Sequence, residues 1–271
     1  MSTLSDNNPT RAFTASKPLP KLVPLNPNEP HRLGSVPYLN ASPLTYAIAE
    51  PVVLLEPSKL AVELAQGHLH AALVPLAEVL ENAASYHIVD GLAIGSLNSV
   101  YSVILVHTLP VIRMETVALD PASKTSNQLI RVLLQKYYRR RPNYVSQDEP
   151  ADGQLIIGDP AILYRRTHPD ERYLDLAQSW HSHTGLPFVF AVWAVRKDAP
   201  DVVALAKNLR AAAKIGLQAR DEIARTHFEY RYLTEHLYYH LGAPQKKAIA
   251  TFAADLVEIG QLSVIPELSY L

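Results

Sequence analysis

Cysteine is absent from the 271 residues of this sequence. Disulfide bonds, thiolate nucleophiles and cysteine-ligated metal sites are therefore excluded. Neither sign of charge is in excess, because 25 basic residues balance 26 acidic residues and the formal net charge is −1. Such a balance gives no electrostatic basis for nucleic acid or an anionic membrane as a partner.

Long apolar runs are also missing. No run approaches the ~18 residues that a transmembrane helix requires. The N-terminus shows no basic patch followed by an apolar core, the pattern that directs export. We therefore expect a soluble, cytoplasmic protein. Residues 1–31 contain six prolines, no glycine and one aromatic residue, Phe13, and they are predicted to form a disordered or extended N-terminal tail.

Short apolar runs alternate with helical segments of about ten residues from Arg32 onward, a pattern typical of a parallel sheet covered on both faces. The alternation is interrupted at Gly95–Ser99, where two strand-like runs are joined without a helix, and after Pro200 the pattern is helical to the end. We predict an α/β fold with two lobes and a ligand cleft between them. Lobe 1 is expected to comprise residues 32–100 and 196–271, and lobe 2 residues 101–195, with crossings near residues 95–108 and 190–198.

The segment Arg32–Leu44 is predicted to form a strand, a loop and the start of a helix. Ser42 suits the N-cap and Pro43 the first helical position. The loop carries four uncharged hydrogen-bonding side chains: Ser35, Tyr38, Asn40 and Ser42. A corner of this kind directs side chains and free N–H groups to the space above the strand end, although an ordinary capped turn leaves the same pattern.

A candidate anion site lies at Pro121–Ser126, which follows a predicted strand and begins a long helix. The hydroxyls of Ser123, Thr125 and Ser126 and the free N–H groups of the first turn can hold an anion, which the helix dipole also favours. A Ser/Thr cap without a ligand remains the alternative. The sequence has no G-x-x-x-x-G-K-[ST] loop, which argues against a nucleoside triphosphate.

Two further segments have open interpretations. Gly158 and Asp159 end a buried strand, and the Asp159 carboxylate either orients a substrate or caps the helix predicted from Pro160. Aromatic residues near Phe188 either belong to the core or line the cleft and stack on a flat ring. Metal binding is not indicated, because the two His-x-His pairs, His68/His70 and His181/His183, have no third ligand in a matching context.

Taken together, these motifs resemble the chorismate dehydratase family of the futalosine route to menaquinone. The resemblance covers about residues 32–197 and follows the order of the family's motifs. The matching segments are Val36–Leu44, Ala72–Glu78, Ser99–Val103, Pro121–Ser126, Ile157–Asp159 and Thr184–Ala191. The resemblance implies a fold like the type II periplasmic binding proteins. It also implies removal of water from chorismate, giving 3-[(1-carboxyvinyl)oxy]benzoate, with no metal or organic cofactor.

The resemblance further implies which residues form the site. Asn40 and Ser102 are the expected catalytic residues. The expected substrate-binding residues are Ser35, Tyr38, Pro75, Ser99, Ser123, Thr125, Ser126, Gly158, Asp159 and Phe188. Because a neutral amide does not titrate usefully, Asn40 is assigned an orienting role, and the base is assigned, as a hypothesis, to a carboxylate of the substrate.

Two alternatives stay open at this stage. The sibling enzyme 1,4-dihydroxy-6-naphthoate synthase has a similar fold, and product identification would distinguish the two reactions. A non-catalytic solute-binding protein is the second alternative. Such a protein is expected to carry an export signal or a lipid-anchor cysteine. The oligomeric state is not predicted.

Overall fold

The computed structural model describes residues 31–271. Its strands are β1 (Leu33–Ser35), β2 (Val52–Leu54), β3 (Ala71–Pro75), β4 (Tyr86–Ile88), β5 (Ile94–Ser96), β6 (Val103–His107), β7 (Thr116–Ala118), β8 (Asn143–Val145), β9 (Gly153–Ile157), β10 (Tyr173–Asp175), β11 (Phe188–Arg196) and β12 (Ser269–Tyr270). Its α-helices are α1 (Ser42–Thr45), α2 (Pro57–Ala65), α3 (Leu76–Glu81), α4 (Lys124–Val132), α5 (Gly158–Thr167), α6 (Leu176–Thr184), α7 (Val202–Gln218), α8 (Arg220–Ile223), α9 (His227–Arg231) and α10 (Ala243–Glu258). Two π-helical turns, Leu133–Tyr137 and Tyr232–His236, directly follow α4 and α9.

The strands form two sheets, which confirms the predicted α/β class. The larger sheet has seven strands in the order β12-β4-β11-β3-β1-β2, with β5 also pairing β11. The smaller sheet has five strands in the order β10-β6-β9-β7-β8. Strand β3 is buried along its whole length and pairs parallel to β1, as its continuous apolar sequence predicts.

Strand β11 belongs to the larger sheet. The predicted lobe 2 includes residues 188–195, whereas this strand pairs antiparallel with β3, β4 and β5 in the larger sheet. An apolar run shows that a strand is buried on both faces but carries no information about which of two sheets it joins. The chain therefore returns between α6 and β11, at residues 185–187, earlier than the crossing expected near residues 190–198. The first crossing runs from β5 to β6, over residues 97–102.

Several element boundaries differ from the predicted ones. The strand-like run that precedes Gly95–Ser99 comprises two strands, β4 and β5, the second of which extends to Ser96. The region after Pro200, predicted to be helical to the end, is interrupted, because α7 ends at Gln218 and the residues after α9 form the π-helical turn and an extended stretch. In that stretch Tyr238 pairs with Gly95 of β5, so tertiary pairing overrides local helical propensity.

The C-terminal helices cover the larger sheet. Helix α7 packs against α1 and β11, and α10 packs against β11 and also against α4 of the smaller lobe. Gly216 permits the close approach of α7 to α1, since a Cβ atom there would lie 2.0 Å from the carbonyl oxygen of Pro43. No helix within residues 31–271 is long and apolar enough to cross a membrane.

The N-terminal tail predicted for residues 1–31 lies outside the described residues except for His31. That histidine is 5% exposed, and its Nε2 atom lies 2.9 Å from the carbonyl oxygen of Pro200. It therefore contacts the segment that begins the C-terminal helices.

Candidate active site

A pocket lies between the two sheets and takes side chains from both. It encloses about 640 Å³ of space between atoms, its open mouth included. The predicted residues that line it are Tyr38, Asn40, Pro75, Ser102, Ser123, Thr125, Ser126 and Gly158. Apolar residues complete the lining, among them Phe190, Ala191 and Leu237.

The first wall is the loop between β1 and α1. Residues Leu39–Ala41 form a 3-10 turn that runs directly into α1, so Ala41 takes the N-cap position that was predicted for Ser42. The hydroxyl of Tyr239 donates a hydrogen bond of 3.0 Å to the backbone carbonyl of Asn40. The side-chain Oδ1 atom of Asn40 is buried and has no hydrogen-bond partner among the described residues. The Asn40 amide is thus held in the pocket wall with an acceptor still to be satisfied.

The second wall is the crossing segment that leads from β5 into β6. The Ser102 side chain is 1% exposed, and its Oγ atom accepts a hydrogen bond of 2.7 Å from the hydroxyl of Tyr232. The backbone carbonyl of Ser102 accepts the N–H of Gly158 at 2.8 Å. Gly158 has a φ of +66° and a Cβ atom there would meet the ring of Tyr38. Glycine therefore suits the left-handed backbone conformation at this position.

The third wall is the N-terminus of α4. Ser123 caps this helix, because its Oγ atom accepts the N–H of Ser126 at 3.3 Å, as the sequence predicts. Thr125 is 2% exposed, and its Oγ1 atom accepts the backbone N–H of Ala77 at 3.0 Å. Because a hydroxyl that accepts one hydrogen bond keeps its own proton, Thr125 can still donate to a ligand. The interpretations as a cap and as an anion site are therefore compatible.

Charged side chains are absent from the lining of this pocket among residues 31–271. Lys124 begins α4, but its Nζ atom lies 2.8 Å from Glu78 and 2.6 Å from Glu81, so two carboxylates neutralise it. Burial lowers the pKa of Lys124, but hydrogen bonds to these glutamates outweigh it and place the pKa above its ordinary value. Tyr38 is the titratable residue in the lining, and burial followed by Asp120 raises its pKa. A ligand would therefore meet neutral hydrogen-bonding groups.

Four predicted binding residues lie outside the lining of the pocket. Ser35 is fully buried and its Oγ atom has no partner within the described chain. The Ser99 hydroxyl donates to Asp175 at 2.7 Å. Phe188 packs in an aromatic cluster with Trp180, Phe190 and Phe252, and Phe190 is the member of this cluster that lines the pocket.

Asp159 is the fourth of these residues. It lies inside the first turn of α5, which begins at Gly158, so the prediction that it caps a helix starting at Pro160 is wrong. Burial raises the pKa of Asp159, and a hydrogen bond from the backbone of Leu39 opposes that shift. This contact joins α5 to the loop that carries Asn40.

Two tyrosines and one aspartate form the support behind the site, and the sequence patterns did not identify them. Tyr232 lies in the π-helical turn after α9, and Tyr239 lies in the extended stretch that follows it. Asp175 accepts the Ser99 hydroxyl, the N–H groups of Val100 and Tyr101, and the N–H of Gln178 at the start of α6. No local signal marks these residues. Each of them contacts a segment at least 70 positions away in the chain or lies at an element boundary that the sequence pattern does not show. Within residues 31–271 no group of three or more His, Asp or Glu residues suits a metal ion.

Comparison with known proteins identifies the family. Residues 31–258 match the sequence profile of a family described as menaquinone biosynthesis. A chorismate dehydratase of Thermus thermophilus is 31% identical over 260 residues, which span 84% of this chain and 95% of the relative. A chorismate dehydratase of Campylobacter jejuni is 34% identical over 142 residues, which span 50% of this chain and 56% of that protein.

Solved structures support the fold alone. A protein of Archaeoglobus fulgidus is 15% identical with a TM-score of 0.68, covering 86% of this chain and 98% of its own. A Candida albicans protein described as having the generic periplasmic binding protein fold is 12% identical with a TM-score of 0.58, covering 86% of this chain and 91% of its own. The predicted two-lobed, periplasmic-binding-protein-like architecture is confirmed. By the match of its sequence, the chain belongs to the chorismate dehydratase family of menaquinone biosynthesis.

Proposed function

We propose that this protein is a hydro-lyase that removes water from chorismate and releases 3-[(1-carboxyvinyl)oxy]benzoate. The observation that carries the proposal is the pairing of family membership with a pocket of neutral hydrogen-bonding groups between the lobes. Chorismate has two carboxylates and a ring hydroxyl. Helix N-termini and hydroxyl groups can hold carboxylates without a basic patch, and the pocket offers both at Ser123–Ser126.

The reaction makes modest demands on the protein. A ring C–H bond breaks, its electron pair forms the new double bond, the C–O bond to the hydroxyl breaks, and the proton and hydroxide leave as water. The ring becomes aromatic, so the products are strongly favoured. The protein must therefore orient the ring, accept or relay the proton and assist the departing hydroxide.

The roles proposed for the side chains follow their contacts. Asn40 orients the substrate, since its amide lies in the pocket wall with Oδ1 unpartnered among residues 31–271. Ser102 and Thr125 donate hydrogen bonds, because each oxygen accepts one from the protein and each proton has no protein acceptor within the described chain. The base is proposed to be a substrate carboxylate, which agrees with a pocket lined without Asp, Glu, Lys or His over the same residues.

The pathway, the location and the extent of the two lobes are part of the same proposal. The resemblance of the motifs supports the futalosine route as the setting of the reaction, and the cytoplasm is proposed as its location. The lobes are proposed to comprise the larger sheet with α7 and α10, and the smaller sheet with α4, α5 and α6.

Incubation of the purified protein with chorismate tests the function. We expect a new aromatic ultraviolet band and, by mass spectrometry, a product lighter than chorismate by one water. Asn40→Leu is the matched control, because it removes the orienting amide at similar volume. Unchanged chorismate, or a product other than the benzoate, would contradict the proposal. A dihydroxynaphthoate product from its own precursor would favour the sibling enzyme.

A further inference from the structure

Tyr232 contacts the pocket from behind its lining. The side chain is 1% exposed, and its hydroxyl lies 2.7 Å from Oγ of Ser102, a residue 130 positions earlier in the chain. Ser102 is itself 1% exposed and lines the pocket. The contact exists because the fold brings the segment after α9 against the first crossing.

The geometry makes the phenol the donor in this pair. Burial raises the pKa of Tyr232 above its ordinary value, so the phenol keeps its proton. Within residues 31–271, Oγ of Ser102 is the acceptor that lies in hydrogen-bond range of that proton. Oδ1 of Asn40 is buried but accepts no hydrogen bond from the described residues.

The direction of the hydrogen bond between Tyr232 and Ser102 determines where the Ser102 proton points. A serine hydroxyl has one proton and two lone pairs, so an oxygen that accepts from Tyr232 must still place its own proton elsewhere. No described group accepts the Ser102 proton, and the open side of Ser102 is the pocket. A proton directed there meets whichever oxygen of the ligand is closest.

The π-helical turn Tyr232–His236 holds the phenol in place. Helix α9 before it is capped by Thr226, whose hydroxyl accepts the N–H of Glu229. At the far end of the turn, Nδ1 of His236 lies 3.3 Å from the carbonyl of Ser99 in the crossing segment. The turn is thus fixed at both ends, and π-helical turns occur frequently at functional sites.

We propose that Tyr232 is a positioning residue for the dehydration, which occupies the acceptor side of Ser102 Oγ and thereby directs the Ser102 proton into the pocket. The inference rests on the proposed function and extends it to a residue outside the lining. Ser102 then presents a neutral, preorganised donor to an anionic oxygen, either a substrate carboxylate or the departing hydroxide. This arrangement stabilises negative charge in a pocket whose lining has no basic side chain among residues 31–271.

A double-mutant cycle tests the role in turnover. Tyr232→Phe keeps the buried ring and removes the phenol proton, and we expect kcat/KM for chorismate to fall about tenfold, the order of one hydrogen bond to a charged group. In a Ser102→Ala background the same change should alter kcat/KM by less than about twofold, because the hydroxyl it orients is gone. Tyr138→Phe is the matched control. It breaks a Tyr138–Ser179 hydroxyl pair of 3.1 Å outside the pocket lining and should leave kcat/KM within about twofold.

A neutron structure of the deuterated protein tests the geometry without turnover. We expect the Tyr232 deuterium on the line to Ser102 Oγ and the Ser102 deuterium directed into the pocket. A Ser102 deuterium directed toward the Tyr232 oxygen would overturn the inference. A loss of transition-state free energy in the double variant equal to the sum of the two single losses would also overturn it. Failure of the parent protein to dehydrate chorismate would instead overturn the proposed function, and the neutron result would still decide the direction of the Ser102 proton. The same neutron structure tests the inference even if the Tyr232→Phe variant does not fold.

Discussion

The backbone N–H of Ala77 donates a hydrogen bond of 3.0 Å to Oγ1 of Thr125, from the first turn of α3 to the first turn of α4. Strand β3 and helix α3 belong to the larger sheet's side of the molecule, and α4 follows β7 of the smaller sheet. Both residues are nearly inaccessible, at 1% and 2% exposure. The hydroxyl that is proposed to bind substrate thus also links α3 to α4.

Thr125→Val is expected to weaken both folding and binding. The change is close to isosteric but leaves the Ala77 N–H buried without an acceptor, so the free energy of unfolding should fall by about 1–3 kcal/mol. Urea unfolding measures that loss, and KM for chorismate should rise in the same variant. Thr125→Ser keeps the hydroxyl and should recover most of both properties. A valine variant as stable as the parent would show that the contact contributes nothing.

Asn40→Leu should abolish most of the activity and leave the fold intact. Leucine has a similar volume, and the replacement removes an Oδ1 atom that has no partner among residues 31–271, so no buried donor loses its acceptor. The Tyr239 hydroxyl bonds the backbone of residue 40 and is retained. We expect kcat to fall by ~10²-fold or more, as when other preorganised donors are removed.

The same protein sample distinguishes catalysis from folding at this position. The melting temperature and single-turnover product formation are measured together on Asn40→Leu. A variant that melts earlier but still converts chorismate at the parent rate would make Asn40 part of the scaffold rather than of the active site.

Asp120 should give the protein a pH-dependent stability below neutral pH. Burial raises its carboxyl pKa above 3.8, although the N–H groups of Ala122 and Ile157 partly oppose the shift. A raised carboxyl pKa means that the folded state holds the proton more tightly than the unfolded state. The contribution of Asp120 is therefore most favourable below about pH 3.8 and is lost as the pH rises through its folded-state pKa.

Asp120→Asn isolates this contribution. The amide oxygen can still accept the Ala122 N–H, but the side chain no longer titrates. Urea unfolding of parent and variant at several pH values should show the parent losing stability relative to the variant with rising pH, because all other carboxyls cancel in the difference. A difference independent of pH would mean that Asp120 titrates as it does in the unfolded chain.

Local sequence patterns predicted those pocket residues that lie close to one another in the sequence. Ser123 was identified as a cap and Thr125 and Ser126 as pocket residues because a strand, a hydroxyl cluster and a helix follow one another within a few positions. The loop that carries Asn40 was identified for the same reason. The end of helix α2 close to Gly67 agrees with the φ of +80° at that glycine.

Long-range contacts account for what was missed. Tyr232 lies on a segment whose apolar spacing is that of a surface helix, and its function depends on a crossing 130 residues away. Strand β11 was assigned to the wrong lobe because its apolar run is equally suited to the centre of either sheet. Phe190 reaches the pocket while Phe188 does not, because Phe188 is enclosed by Trp180 and Phe252.

Asp175 gives the two lobes a common pivot. Its carboxylate accepts three hydrogen bonds from the outgoing connection at Ser99, Val100 and Tyr101, and it also starts α6, which leads to the returning connection. Asp175 therefore restrains the outgoing connection and the start of α6 together, and we expect the cleft to open by rotation about this side chain. Asp175→Ala should broaden the distribution of inter-lobe distances measured by spin labels on α4 and α2, and the widened cleft should then admit larger acids.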